Sequence, residues 1–159
     1  MGALGTVLEI REDDLTGEPT RALLALHLAD ARSKTPAGFS FALDLSGLQT
    51  PDITVWTAWA GPALAGICAL KVLGDGSGEV KSMRTDPAFL RQGVADALLE
   101  HIIGEARRRG LRRLSLETGV GPAYAPAQAL YRKRGFVDGE AFADYRPSAY
   151  NWFMHLALG

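Results

Sequence analysis

The chain has 159 residues, of which 47% are apolar and 22% charged, with a formal net charge of −1. That length fits one domain with a real core, and the near-neutral balance calls for neither a nucleic acid nor a membrane as partner. No stretch approaches the roughly 18 apolar residues of a membrane span and no basic leader with a cleavage site opens the chain, so the sequence predicts a soluble cytoplasmic protein.

Thr6 to Arg11 alternates apolar and polar residues and predicts a first strand. From Glu18 to Ser33, Leu23, Leu24, Leu26, Leu28 and Ala31 suit a helix, with Pro19 in its first turn. Residues 34–51 contain Pro36, Gly38, Gly47 and Pro51 and read as a loop with one short helix around Asp44 to Leu48. Two β-rich runs follow, Ile53 to Ala60 and Leu64 to Leu73, joined by the hairpin signal Gly61-Pro62-Ala63. The second holds the single cysteine, Cys68. It has no internal disulfide partner, which suits a reducing compartment, and it reads as a small buried apolar residue.

After a turn at Gly74 to Gly78, Glu79 to Thr85 is the next strand. A long helix is predicted from Gly93 to Arg109, where Val94, Ala97, Leu98, His101 and Ile102 recur at helical spacing and Gly110 ends the run. Leu114 to Glu117 reads as a strand, and Tyr124 to Arg134 as a helix stopped by Gly135. Phe136 to Tyr145 and Trp152 to Leu158 are the last two strands. The expected fold is α/β (α+β), one domain built on a mixed, mostly antiparallel sheet of about seven strands with flanking helices. Hairpins dictate the antiparallel part; the strand–helix–strand portion in the second half dictates the parallel part.

One segment carries a chemical signal. Asp86 to Leu99 reads DPAFLRQGVADALL: a strand ends, a turn with a glycine follows, and a helix begins at once. A helix start offers free backbone N–H groups and a partial positive charge, a good seat for phosphate oxygens. Gly93 and Ala95 lack bulk, so phosphates can approach the backbone. The ordinary reading is a βα turn with small residues for packing. The segment lacks the Lys-Ser/Thr ending of a P-loop and the G-x-G-x-x-G of a dinucleotide fold, which argues against a Walker-type ATPase or a nicotinamide enzyme.

The stretch from Glu79 to Phe136 resembles the core of the GNAT N-acetyltransferase superfamily. GEVKSMRTDPAFLRQGVADALLEHIIGEARRRG is similar to its acetyl-CoA motif, Q/R-x-x-G-x-G/A at the head of the long helix. GPAYAPAQALYRKRGF is similar to its next motif, a helix ending in A-x-x-L-Y-x-x-x-G-F. KSMRT, LRxGVA, RLSLETG and FADY together resemble a subgroup of small bacterial members. Three positions depart from the family pattern. Leu90 stands where Gln or Arg is usual, Tyr124 where many members have Asn, and Phe41 where the subgroup often has His.

The resemblance implies the acyl-CoA N-acyltransferase fold, acetyl-CoA as co-substrate, an amine as acceptor, and direct attack in a ternary complex. It implies that backbone N–H groups of Met83, Arg84 and Thr85 face the thioester and pantetheine, on a strand that splays from its neighbour. Arg91, Gln92, Gly93, Val94 and Ala95 would hold the pyrophosphate. Tyr131 matches the family tyrosine that protonates the departing thiolate; the ordinary reading is a packing residue of an amphipathic helix. Glu79 matches a general-base glutamate of some members; the ordinary reading is a strand-end residue. Homodimers are common among similar proteins.

Strand alternation puts Lys81 on the face of Glu79, and Lys81 or Arg84 can meet either an acidic group of the acceptor or a local carboxylate. The arginines at 107, 108, 109, 112 and 113 read as a solvated helix end, with nucleic-acid binding the weaker reading. Arg132, Lys133 and Arg134 can approach the CoA phosphates only as part of the surface of the last helix. His27, His101 and His155 show no metal-ligand spacing, so no metal is expected. The acceptor site is expected in residues 34–51 and 138–151. A closed pocket lined by Phe39, Phe41, Trp56 or Tyr145 points to a small amine, an amino acid or similar metabolite; an open groove points to a protein N-terminus or lysine. A third reading is a non-catalytic acyl-CoA sensor.

Overall fold

The computed structural model describes residues 7–36 and 38–159. Seven strands form one sheet in the order β1-β2-β3-β4-β5-β7-β6. They are β1 (Leu8–Glu12), β2 (Ile53–Ala60), β3 (Ala63–Val72), β4 (Gly78–Thr85), β5 (Arg113–Gly119), β6 (Val137–Asp138) and β7 (Asn151–Ala157). Among the described residues only β4 and β5 run parallel, and the crossover that a parallel pair needs is supplied by the long helix α3 (Val94–Arg108). The other helices are α1 (Glu18–Lys34), α2 (Leu45–Leu48) and α4 (Ala125–Lys133). The expected first strand began at Thr6, which lies outside the described residues.

β3 is buried along Leu64–Leu70 because helices cover both faces, which is why its sequence is a continuous apolar run. On one face α3 buries Val94, Leu98, Leu99, Ile102, Ile103 and Ala106 against Ala65, Cys68, Leu70 and Leu114. Tyr131 of α4 and Met154 of β7 join the same cluster. On the other face Leu23 and Leu24 of α1 and Leu48 of α2 pack on Val55, Leu64, Ile67 and Ala69. Asp13, between β1 and α1, accepts hydrogen bonds from Thr20 (3.1 Å) and Thr57 (3.0 Å) and so pins the start of α1 to the sheet.

Two close approaches set the geometry. A Cβ at Gly66 would stand 2.7 Å from Cγ1 of Val94 and 3.0 Å from the carbonyl oxygen of Arg84, so glycine lets the head of α3 sit directly on β3 and β4. A Cβ at Gly139 would stand 2.3 Å from the ring of His155.

The second approach lies just past the end of β6. Phe136 to Tyr145 was expected to be a strand, yet only Val137–Asp138 pairs with β7. The chain turns away at Gly139 and residues 139–150 form an irregular loop. Its aromatic residues serve packing rather than a ladder. Phe142 is buried against Phe153 and His155, at ring separations of 6.0 and 5.7 Å. The loop thereby lies over Phe153 and His155 of β7, on the sheet face opposite Met154.

Candidate active site

β4 and β5 are paired at only two positions, Gly78↔Leu114 and Glu79↔Ser115. Beyond them the strands part, and a cleft opens between Val80–Arg84 on one side and Glu117–Gly119, with Tyr124 and Tyr131, on the other. A bulge in β4 accompanies the opening. The pairing with β3 slips between Ile67 and Ala69, and Ser82 takes a left-handed conformation with φ of 55°. Met83 and Arg84 line the cleft, while Thr85 lies beyond it, paired with Gly66. On the opposite wall the ring of Tyr124 lies against the backbone of Gly119, where a Cβ would come within 2.3 Å of it.

Tyr131 reaches this cleft from α4 and is buried. Phe136 packs beside it at 5.7 Å. Burial pushes the phenol well above its usual range, so it keeps its proton throughout the neutral range.

Glu79 and Lys81 project together toward the opposite side, as alternation requires, because the bulge falls after them. Lys81 Nζ donates to Glu79 Oε2 at 3.1 Å and to Tyr145 Oη at 2.8 Å. Tyr145 Oη donates to the same Glu79 oxygen at 2.5 Å. The expected base is thus in the cleft, with Oε2 already accepting from a cation and a phenol. Burial, and then the charge of Glu79, push the Tyr145 phenol far up.

Glu117 is the residue the sequence reading did not single out. It sits on β5 at the cleft wall, and its side chain accepts no hydrogen bond among the described residues. Burial raises its pKa to about 7; Lys81 opposes the rise and Glu79 adds to it. A carboxyl that titrates near neutrality is suited to accept a proton. The signal available in the sequence was the alternation in RLSLE: Leu114 and Leu116 belong to the core, so Glu117 had to face the other way.

The turn from Arg91 to Ala95 leads directly into α3. Arg91 and Gly93 both adopt positive φ, 63° and 81°, and Gly93 is the N-cap of α3 with no side chain capping it. The first N–H groups of α3 therefore lack intrahelical partners. The place of a Cβ at Gly93 is open space. Arg91 is exposed, with no ion-pair partner among the described residues. Gln92 leans back on the carbonyl of Ala88 at 3.5 Å.

Other expected residues lie elsewhere. Trp56 is buried on the α3 face, against His101 (5.3 Å) and under Arg109 (5.7 Å), and takes no part in the cleft. It pointed away because its neighbours Val55 and Thr57 face the α1 side of β2. Arg108 and Arg109 pair with Glu105, and Arg112 with Asp75. Arg134 is held by Asp96 at 2.6 Å and Arg132 by Asp138 at 3.0 Å. Among the described residues no group of three or more His, Cys, Asp or Glu side chains is arranged around a common metal position, and no helix is long and apolar enough to cross a membrane.

The sequence model of the Acetyltransferase (GNAT) family matches residues 19–136. The chain belongs to the GNAT acetyltransferase family. Among curated GNAT relatives, the uncharacterized N-acetyltransferase YedL of Escherichia coli (strain K12) is 47% identical over 149 residues, which is 94% of each chain. A candidate acyl-CoA N-acyltransferase from Klebsiella pneumoniae superposes with a TM-score of 0.81 at 29% identity, over 98% of this chain and 100% of the other. The PaiA N-acetyltransferase of Thermoplasma acidophilum, solved with coenzyme A, shares the fold with a TM-score of 0.73 at 14% identity, over 95% of this chain and 99% of the other. The GNAT match ends at Phe136, so the loop that carries Phe142 and Tyr145 lies beyond it.

Proposed function

We propose that this GNAT enzyme transfers the acetyl group of acetyl-CoA to the primary amine of a small metabolite, by direct attack in a ternary complex in the cytoplasm. The observation that carries the reading is that Glu117 and Tyr131 both line the cleft where β4 and β5 part. The pantetheine arm runs through that opening, and the turn at Arg91 to Ala95 holds the pyrophosphate through backbone N–H groups and the Arg91 guanidinium. Freed backbone of β4 at Met83 and Arg84 faces the thioester oxygen and stabilises the charge that develops there.

The amine approaches from the α1 side as an ammonium and gives one proton to Glu117. Its nitrogen then attacks the thioester carbonyl, the C–S bond breaks, and the thiolate takes the Tyr131 proton. The nitrogen's second proton and the one held by Glu117 leave to solvent, and the phenolate is reprotonated from solvent, so the cycle converts ammonium and acetyl-CoA into amide, CoA thiol and one released proton. Glu79, tied to Lys81 and Tyr145, fixes the charge facing Glu117. A titrating, unpartnered carboxyl favours an enzyme over a sensor.

A small acceptor is favoured by two aromatic contacts that join the loops around the cleft, Phe39 with Tyr150 at 4.9 Å and Phe41 with Tyr145 at 5.2 Å. A protein acceptor would need those loops to part. The test is a screen of amines that follows free CoA thiol, with Glu117→Gln as the control. Thiol release equal in wild type and variant for every acceptor would remove Glu117 from the mechanism. Absence of acetyl-CoA binding would remove the reading as a whole.

A further inference from the structure

The α1 side of the cleft carries charge that the transfer chemistry does not use. β4 delivers part of it through its bulge. Ala69 pairs with Lys81 and Ile67 with Arg84, and Ala69 and Ile67 both face the cluster under α1. Lys81 and Arg84 therefore share a face although an odd number of positions separates them; a regular strand would have turned Arg84 away. There Arg84 meets Asp30 of α1, with Nη1 at 2.9 Å and Nη2 at 2.8 Å from Oδ2. Lys34, one helical turn after Asp30, brings Nζ within 2.9 Å of the same oxygen. Two cations thus share one carboxylate, and the cluster keeps an excess of positive charge. His27 beside it adds none at neutral pH, since burial and then Arg84 lower its pKa to about 4.

The donors are not used up. A guanidinium carries five N–H groups and an ammonium three, and Asp30 engages only the contacts just given. Arg84 and Lys34 keep 24% and 41% of their side-chain surface, and both line the cleft together with the exposed rings of Phe39, Phe41 and Tyr150. Planar carboxylate recognition by a guanidinium with a second cation beside it is a strong pairing in a part-buried site.

We infer that the acceptor is an amino-acid-like zwitterion. Its carboxylate docks on Arg84 and Lys34, its apolar body lies against Phe39, Phe41 and Tyr150, and its amine turns toward Glu117. The inference rests on the acetyl-transfer reading above and adds the acceptor's class. An internal peptide lysine or a chain N-terminus lacks a carboxylate so close to the amine, and a plain amine leaves both cations with Asp30 alone.

The test compares leucine, phenylalanine and tryptophan with the matched decarboxylated amines and carboxamides, following thiol release from acetyl-CoA. The expected kcat/KM is at least about tenfold higher for the free acids. That ratio should fall to near one in Arg84→Gln and be held or raised in Asp30→Asn, which frees both cations. Parity in wild type overturns the inference. So does a preference that survives Arg84→Gln, or an equal loss in both variants, which is what a purely structural ion pair gives. Where no small amine turns over, titration of N-acetylleucine and N-acetylphenylalanine into the CoA-loaded protein decides. Binding that Arg84→Gln weakens about tenfold sustains the subsite; no binding, or binding that the variant leaves unchanged, overturns it. Acetyl-CoA affinity from parallel titrations separates the two readings. A protein that binds acetyl-CoA without a carboxylate preference loses this inference alone, and one that does not bind it loses both.

Discussion

The hydroxyl of Tyr145 donates to Oε2 of Glu79 at 2.5 Å, which ties the loop after β6 to the floor of the cleft on β4. The bond matters because Glu79 is buried and its charge must be matched there by Lys81 and Tyr145. In Tyr145→Phe the ring keeps its neighbours Phe41, Phe142 and Phe153, at 5.2, 5.0 and 5.7 Å, while the carboxylate loses one donor. Hydrogen bonds to charged groups contribute about 1.5–3 kcal/mol, so the urea midpoint should drop accordingly. Acetyl-CoA affinity should hold, because the phosphate turn is on the far side of the sheet. An unchanged midpoint would mean that the loop is held by its aromatic packing alone.

Glu117 predicts the pH profile. A base must be ionised to act, and its pKa is about 7, so kcat/KM should rise with pH through that value and then level. Glu117→Gln should abolish this limb and lower the rate by roughly 10²–10⁴-fold. A limb that persists in the variant belongs to the acceptor amine or to another group.

The same residue predicts a stability gain. Its folded pKa, about 7, lies above the 4.5 of an ordinary glutamate carboxyl. The folded state therefore binds more protons than the unfolded state between those values, and stability falls as pH rises through the window. Above pH 7 the wild type carries an ionised, poorly solvated carboxylate that Glu117→Gln removes. The variant should then be the more stable by ~1–3 kcal/mol, with the advantage vanishing below about pH 4.5. Denaturant titrations of both proteins across that range are the measurement; a difference independent of pH would point to packing instead.

Gly93 and Gly61 separate backbone strain from ligand contact. Both have positive φ, 81° and 59°, and at both a Cβ meets open space. An alanine at either site costs about 1–2 kcal/mol of strain. Only Gly93→Ala also intrudes on the phosphate seat, so only it should weaken acetyl-CoA binding, by about tenfold. Calorimetric titration of both variants is the check. Equal affinities would take the pyrophosphate away from this turn.

Much of the architecture was legible because local signals agreed with the global fold. The apolar spacing from Val94 to Ile102 gave α3 its buried face, and Gly61-Pro62-Ala63 gave the hairpin between β2 and β3. The failure after Phe136 has a physical reason. Aromatic residues favour strands by packing on a pleated surface, and Phe142 and Tyr145 do pack on one, but from a loop lying over it. Trp56 was misplaced because an aromatic residue on a strand can face either side of a sheet covered on both. The candidate site was half legible. Tyr131 and the turn before α3 are local motifs, and Asp30 and Lys34 lie one helical turn apart on α1, whereas Arg84 reaches Asp30 through the bulge at Ser82 and Glu117 lines the cleft because β5 parts from β4, and neither feature leaves a pattern in one strand's sequence.

Tyr131→Phe tests the acid. The ring and its contact with Phe136 remain, so fold and acetyl-CoA affinity should be nearly those of wild type. The burial that raises the phenol's pKa keeps its proton in place at every working pH, ready for a thiolate that forms in the same dry cleft. If that proton goes to the departing sulfur, turnover at saturating acetyl-CoA should fall by roughly 10²-fold. A lost ground-state contact would instead raise the apparent KM for acetyl-CoA and leave turnover intact. Turnover and a direct Kd, measured together on both proteins, distinguish the two. Full turnover in the variant would show that the thiolate leaves without help, as a good leaving group can, and would return Tyr131 to its packing role.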